Sequence, residues 1–204
     1  LRGVNFSAAP GEALLLVGPT GTGKSTTLRA MAGQWPFGHG EIGLGEGVEM
    51  FLPQKPYLPL GTLRQVLLYP REDTDGSARV SDARLAEILN LVNLGDLTRL
   101  LSTTDNWALR LSLGEQQRLA FARVLAFQPD ILILDEATSN IDSISESRIQ
   151  SATEVATRGR TSVIIAHRLS PILNCDVIVV LDEGRIVEVG RHEELLARKG
   201  KYFE

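Results

Sequence analysis

The sequence predicts an α/β fold on a mostly parallel sheet, and three observations carry that reading. Short apolar runs alternate with longer stretches of helical periodicity. The runs lack the in-and-out alternation of half-exposed strands, so both of their faces are expected to be covered. One block, 62–106, is helical without a convincing strand and reads as an insertion into the sheet domain. Ala13–Val17, Glu49–Leu52, Ile131–Leu134, Ser162–Ile165 and Val177–Leu181 are the expected buried strands. Arg185–Val189 follows its predecessor across the turn signal Asp182-Glu183-Gly184 and adds an antiparallel element. The expected helices are Lys24–Ala32, Thr62–Leu68, Asp82–Leu91, Gly114–Phe127, Ile144–Ala156 and His192–Ala197. Inside the insertion Leu85, Ile88, Leu89 and Val92 recur at helix spacing, while the polar, turn-rich stretch Arg71–Ser77 reads as a surface loop. There is no internal repeat and no low-complexity segment.

Composition narrows the function classes. The 204 residues are 43% hydrophobic and 23% charged, an ordinary globular mixture that excludes a disordered tail and allows a core without disulfides. The single cysteine, Cys175, forbids an internal disulfide and offers no thiolate cluster, so the chain reads as intracellular. A net charge of −4 argues against wrapping nucleic acid but leaves room for a local anion site. Apolar runs such as Leu14–Val17 fall far short of the roughly 20 residues that span a bilayer, so no membrane crossing is expected of this polypeptide itself. The chain begins at Leu1 with no initiator Met and no signal peptide, and is expected to be cut from a longer protein.

Gly18-Pro19-Thr20-Gly21-Thr22-Gly23-Lys24-Ser25 fits G-x-x-x-x-G-K-[ST] and is followed by Thr26. It lies between an expected buried strand and an expected helix, which is the context the chemistry needs. The glycines let the backbone fold around a phosphate and turn its N–H groups inward, and the helix start presents its positive dipole end. Lys24 can reach the β- and γ-phosphates, and the Ser25 hydroxyl can ligate Mg²⁺. The alternative is a Gly-rich turn before a helix. Further on, the apolar run Ile131–Leu134 ends in Asp135 and Glu136. Asp135 is placed to hold Mg²⁺ through water and Glu136 to polarise an attacking water. A strand can also stop at acidic residues simply because they solvate its end.

Leu111-Ser112-Leu113-Gly114-Glu115-Gln116-Gln117-Arg118, upstream of Asp135, resembles the signature sequence of ABC-type ATPases. With it, the chain resembles the nucleotide-binding domain of an ABC transporter. Gln54 matches the family's Q-loop, Ser139-Asn140-Ile141-Asp142 its D-loop, and His167 its switch histidine. The resemblance implies a P-loop ATPase core over 1–61 and 107–204, with 62–106 as the helical subdomain between Q-loop and signature. It implies ATP and Mg²⁺ as cofactors, with Gly18 to Thr26 around the phosphates and Ser25, Gln54 and Asp135 on the metal. It also implies Glu136, His167 and Lys24 as catalytic residues. Ser112, Gly114 and Glu115 would serve the nucleotide of a second copy in a head-to-tail homodimer, and Asp142 would couple the two sites. A Ser-x-Gly-Glu sequence opening a helix is physically a second anion-binding N-terminus, which is why a shared nucleotide is expected. The implied partners are that second domain and a fused transmembrane permease. The implied place is the cytoplasmic face of a membrane, with a bacterial inner membrane favoured over an organellar one.

Gly61-Thr62-Leu63-Arg64 and Gly184–Leu196 are similar to exporter-type domains fused to their membrane segment. Leu52–Leu63 and Asn106–Gln117 resemble subfamily D and the bacterial SbmA/BacA-like fused permease/ATPase proteins. Trp107 then reads either as a residue near the membrane-domain contact or as a core aromatic. Two departures stand out. Asn140 puts an amide where the usual D-loop is apolar, and no adenine-stacking aromatic precedes the phosphate loop, because Phe6 is too close to it. That aromatic is expected upstream of Leu1. His39 reads as a surface turn residue, His192 as part of a helix start, and Cys175 as a small buried residue. A repair or chromosome ATPase would need a long coiled coil between Q-loop and signature, but 57 positions separate Gln54 from Leu111 (111 − 54) and carry no sustained heptads. A soluble non-transport ABC ATPase, or a nucleotide-binding regulatory module with little turnover, remains the alternative.

Overall fold

The computed structural model describes residues 1–70, 80–135, 159–165 and 175–203. Six strands form one sheet: β1 Ala13–Val17, β2 Glu49–Leu52, β5 Ile131–Asp135, β6 Thr161–Ile165, β7 Val177–Asp182 and β8 Arg185–Gly190. Their order is β2-β5-β6-β1-β7-β8, parallel throughout except for the antiparallel β7–β8 hairpin. The unbroken apolar runs follow from burial on both faces. Leu14 and Leu16 pack on one side with Leu28, Ile133, Val163 and Val179, while Leu15 packs on the other with Ile178, Val180 and Leu195. Each such leucine withdrawn from water contributes roughly 1.5–3 kcal/mol. Phe6 also leans on the first of these clusters, so it is a packing residue.

Helix α1, Lys24–Met31, buries Leu28 against the sheet and ends where Gly33 takes φ +69, a left-handed stop that suits glycine. At the other end of the chain α6, His192–Arg198, lays Leu195 on the opposite face. His192 opens that helix and its Nδ1 lies 2.7 Å from the Tyr202 hydroxyl, while His39 is exposed.

The chain divides into two compact units. The first holds the sheet: Leu1–Pro53 with the described residues of Pro129–Glu136 and Thr157–Glu204. The second, with described residues 54–70 and 80–128, holds α2 Leu63–Leu68, α3 Asp82–Leu91, a 3₁₀ turn Gly95–Leu100, α4 Trp107–Arg110 and α5 Leu113–Phe127. This unit is wider than the expected 62–106, because α5 packs on α2 and α3. It also contains a two-residue antiparallel pair, β3 Gly61–Thr62 with β4 Thr104–Asp105, where no strand was expected. Two residues are too few for alternation to register.

Trp107 is fully buried and donates its indole N–H to the Gly61 carbonyl at 3.0 Å, with the Arg110 guanidinium 5.1 Å from the ring centre. It is therefore a core aromatic of this unit. Ser81 caps α3 by accepting from the Arg84 N–H, and Arg64 holds the entry to that helix through the Val80 carbonyl and Asp82. The expected helix Ile144–Ala156 and the loop Arg71–Ser77 lie outside the described residues. Among the described residues no helix is long and apolar enough to cross a membrane.

Candidate nucleotide-binding site

The loop Gly18–Gly23 leaves β1 at the edge of the sheet where the parallel strands end, and turns into α1. Its glycines are required by geometry. Gly18 sits at φ +143, and a Cβ there would run into the Leu181 carbonyl of β7. Gly23 caps α1 in the left-handed region at φ +101. Thr22 and Thr27 brace the loop from within: their hydroxyls donate to the Pro19 carbonyl at 2.9 Å and the Gly23 carbonyl at 3.0 Å. Thr27 is a structural contributor that the motif does not name. Pro19, Thr20 and Gly21 are exposed, and Thr26 is half-buried on the first turn of α1. A cleft of about 1220 Å³, lined mainly by segments 3–11 and 35–46, reaches Gly21, Gly23 and Thr26, while Lys24, Ser25 and Asp135 do not line it.

Lys24 is 6% exposed and folds back along the loop, its ammonium donating to the Gly18 carbonyl at 2.7 Å and the Pro19 carbonyl at 2.8 Å. A buried ammonium needs such acceptors, and phosphate oxygens in the loop would offer stronger, charge-assisted ones. The Ser25 hydroxyl donates to Asp135 Oδ1 at 2.9 Å. Asp135 ends β5 and is 3% exposed. The residues at positions 25 and 135, far apart in sequence, thus meet at the end of the sheet. Two oxygen donors in contact, with phosphates to come, fit Mg²⁺, which binds through one or two carboxylates, substrate phosphates and retained waters.

Known proteins resemble this chain over its whole length. A family model described as ABC transporter matches residues 1–139. The chain belongs to the ABC transporter family. It is 39% identical over 222 residues to the ABC multidrug transporter mdr1 of Aspergillus fumigatus, covering all of this chain and 16% of that protein. It is 38% identical over 222 residues to a probable multidrug resistance ABC transporter ATP-binding/permease protein of Bacillus subtilis, covering all of this chain and 32% of that one. A solved bacterial Atm1-family ABC exporter with ATP bound superposes at a TM-score of 0.79 and 33% identity, over 100% of this chain and 37% of the other. The chain therefore spans between about a sixth and about a third of the length of these two transporters.

The remaining motif residues of this ABC transporter segment fall in the second compact unit or outside the described residues. Gln54 is exposed in the segment that opens the unit, and its carbonyl accepts from Gln117 Nε2 at 3.3 Å. Ser112 is the N-cap of α5 and forms a reciprocal capping box with Glu115. The Ser112 hydroxyl and backbone N–H both donate to Glu115 Oε2, at 2.7 and 2.8 Å, so the signature serine is held by the carboxylate three residues on. Gly114 is half-buried in the first turn. Glu136, Asp142 and His167 lie outside the described residues; in sequence, Glu136 directly follows the end of β5 and His167 follows the end of β6 by two positions.

Away from the phosphate loop, burial pushes the Cys175 thiol up to about 12, with the neighbouring Asp176 carboxylate adding to it. The Arg110 guanidinium, 2.6 Å from Asp105, holds that carboxyl below its ordinary range.

Proposed function

We propose that this chain is the ATP-binding and hydrolysing part of a transporter, binding ATP with Mg²⁺ on Gly18 to Thr26 and Asp135. The observation that carries the reading is the meeting of Ser25 and Asp135 beside a lysine already tethered across the phosphate loop. Backbone N–H groups of the loop and the start of α1 bind the phosphates, and Lys24 exchanges its loop carbonyls for phosphate oxygens. Bound Mg²⁺ would neutralise charge on the β- and γ-phosphates. Glu136 holds the attacking water as general base, a role worth about 10²–10⁴ in rate, with His167 and Gln54 completing the γ-phosphate end.

The signature end of a second copy, Ser112, Gly114 and Glu115, closes over that nucleotide in a head-to-tail homodimer, and Asp142 couples the two sites. For Ser112 to reach a phosphate its hydroxyl must leave Glu115, so closure trades one charge-assisted bond for another. A fused permease supplies the membrane passage, with this segment on the cytoplasmic face. The names of the multidrug and ATP-binding/permease relatives support transport over a soluble ATPase. They agree with the exporter-type likeness of Gly61–Arg64 and Gly184–Leu196, while subfamily D rests on Leu52–Leu63 and Asn106–Gln117 alone.

The test is Glu136→Gln in the full-length protein. It is expected to bind a fluorescent ATP analogue as the wild type does while phosphate release falls by at least about a hundredfold. Undiminished phosphate release would remove Glu136 from the role of base.

A further inference from the structure

Arg123 is a buried cation that this nucleotide chemistry does not use. It projects from α5 and donates Nε to the Val66 carbonyl and Nη1 to the Tyr57 carbonyl, both at 2.7 Å. Its guanidinium lies 5.6 Å from the centre of the Tyr69 ring, and its Nη2 is buried with no hydrogen-bond partner among the described residues. Burial pushes its pKa down to about 10, so it stays a cation at neutral pH. Earlier on the same helix Gln117, 2% exposed, donates to the Gln54 carbonyl.

The two side chains thus hold both ends of Gln54–Tyr57, a segment with no helix or strand of its own. Both carbonyls belong to the stretch that begins with the Q-loop glutamine, and both donors belong to the helix whose first turn is the signature.

We propose that Gln117 and Arg123 are positioning residues that fasten Gln54–Tyr57 to α5, so that a nucleotide-dependent shift at Gln54 is carried along the helix to Ser112. This rests on the nucleotide reading above and adds to it the side chains that pass the signal. Arginine suits the position because its planar fork serves two carbonyls at once, which a lysine ammonium cannot do in the same geometry. Its loss leaves two carbonyls of the segment and of α2 to find other donors.

The test is amide hydrogen exchange read by mass spectrometry on the full-length protein, with and without MgATP, for wild type, Arg123→Lys and Gln117→Met. In the wild type MgATP is expected to slow exchange about fivefold or more both at Gln54, Lys55 and Tyr57 and at 112–116. Each variant is expected to keep the slowing at the first segment, with unchanged ATP affinity, and to lose most of it at the second. Retention of both in the variants overturns the fastening. A wild type that responds at 54–57 but not at 112–116 also overturns it, while leaving the nucleotide reading standing. A wild type with no response at 54–57 overturns the role of Gln54 itself and this inference with it. Should Arg123→Lys fail to fold, seen as collapse of its thermal transition, Gln117→Met decides alone, since it removes one amide donor and leaves the arginine fork in place.

Discussion

Asp135→Asn separates metal binding from folding, because the carboxylate is buried and accepts a side-chain hydrogen bond from Ser25 Oγ. Removing the charge loses a charge-assisted bond worth about 1.5–3 kcal/mol. It also relieves the cost of holding a carboxylate at 3% exposure, which is several kcal/mol per buried ion. The two effects oppose each other, so the nucleotide-free variant is expected to melt at or above the temperature of the wild type. With nucleotide the sign reverses. A ligand at a hundredfold excess over its Kd adds about 2.7 kcal/mol to stability. For a domain of this size each kcal/mol moves Tm by about 2–4 °C, so MgATP should raise the wild-type Tm by about 5–11 °C. Differential scanning fluorimetry with ATP plus Mg²⁺ and ATP plus EDTA reads the metal-dependent part directly. That part should vanish in Asp135→Asn while the metal-independent part persists. An undiminished Mg²⁺ increment in the variant would refute the placing of the metal at Ser25 and Asp135.

Other expectations follow from the same geometry. Ser112→Arg breaks the capping box and fills the signature end, so ATP-dependent association measured by light scattering should be lost while monomer nucleotide affinity is kept; equal association would contradict a shared site. Trp107→Phe removes the indole bond to Gly61 and leaves unfilled volume, and should cost about 2–3 kcal/mol in urea unfolding. Cys175, with its thiol raised to about 12, should react with iodoacetamide at pH 8 on the order of a thousandfold more slowly in the folded than in the unfolded chain. The sign for stability follows. The unfolded thiol ionises near 8.5 and the folded one near 12, so this residue's contribution is full below about pH 8.5 and declines as pH rises between those values.

The strands were the most legible part of the fold, and their physics explains why. Ala13–Val17 and Glu49–Leu52 match the observed bounds, and Ile131–Leu134, Ser162–Ile165 and Val177–Leu181 fall short by one residue at one end. A strand buried on both faces admits almost nothing but apolar residues, so its limits are written in composition. Asp135 was excluded from its strand for that reason, although the last strand residue is the one that meets Ser25. Helix starts were legible to within one residue: Lys24, Asp82 and His192 match, while the stretches read from Thr62 and Gly114 begin at Leu63 and Leu113, behind the capping hydroxyls of Thr62 and Ser112. The order of strands was not, because β1 and β5 carry no mark of which neighbour they choose. The membership of α5 was hidden as well. Its apolar face announces burial, but only Arg123 reaching the Val66 and Tyr57 carbonyls shows which residues it holds. For the same reason the core packing of Trp107 is visible only through its burial and its hydrogen bond to Gly61.

The order β2-β5-β6-β1-β7-β8 places one strand, β6, between the strand that launches the phosphate loop and the strand that ends in Asp135. Hydrogen-bonded neighbours lie about 4.8 Å apart, so β1 and β5 are separated by about 10 Å. That gap is set by main-chain pairing and is therefore indifferent to which side chains occupy the strands. The sheet acts as a ruler with a single graduation, and divergence of the core can repaint the strands without changing the room left at their ends. Ser25 spans the gap from the helix side, which makes its 2.9 Å contact with Asp135 a gauge of whether the ruler is intact.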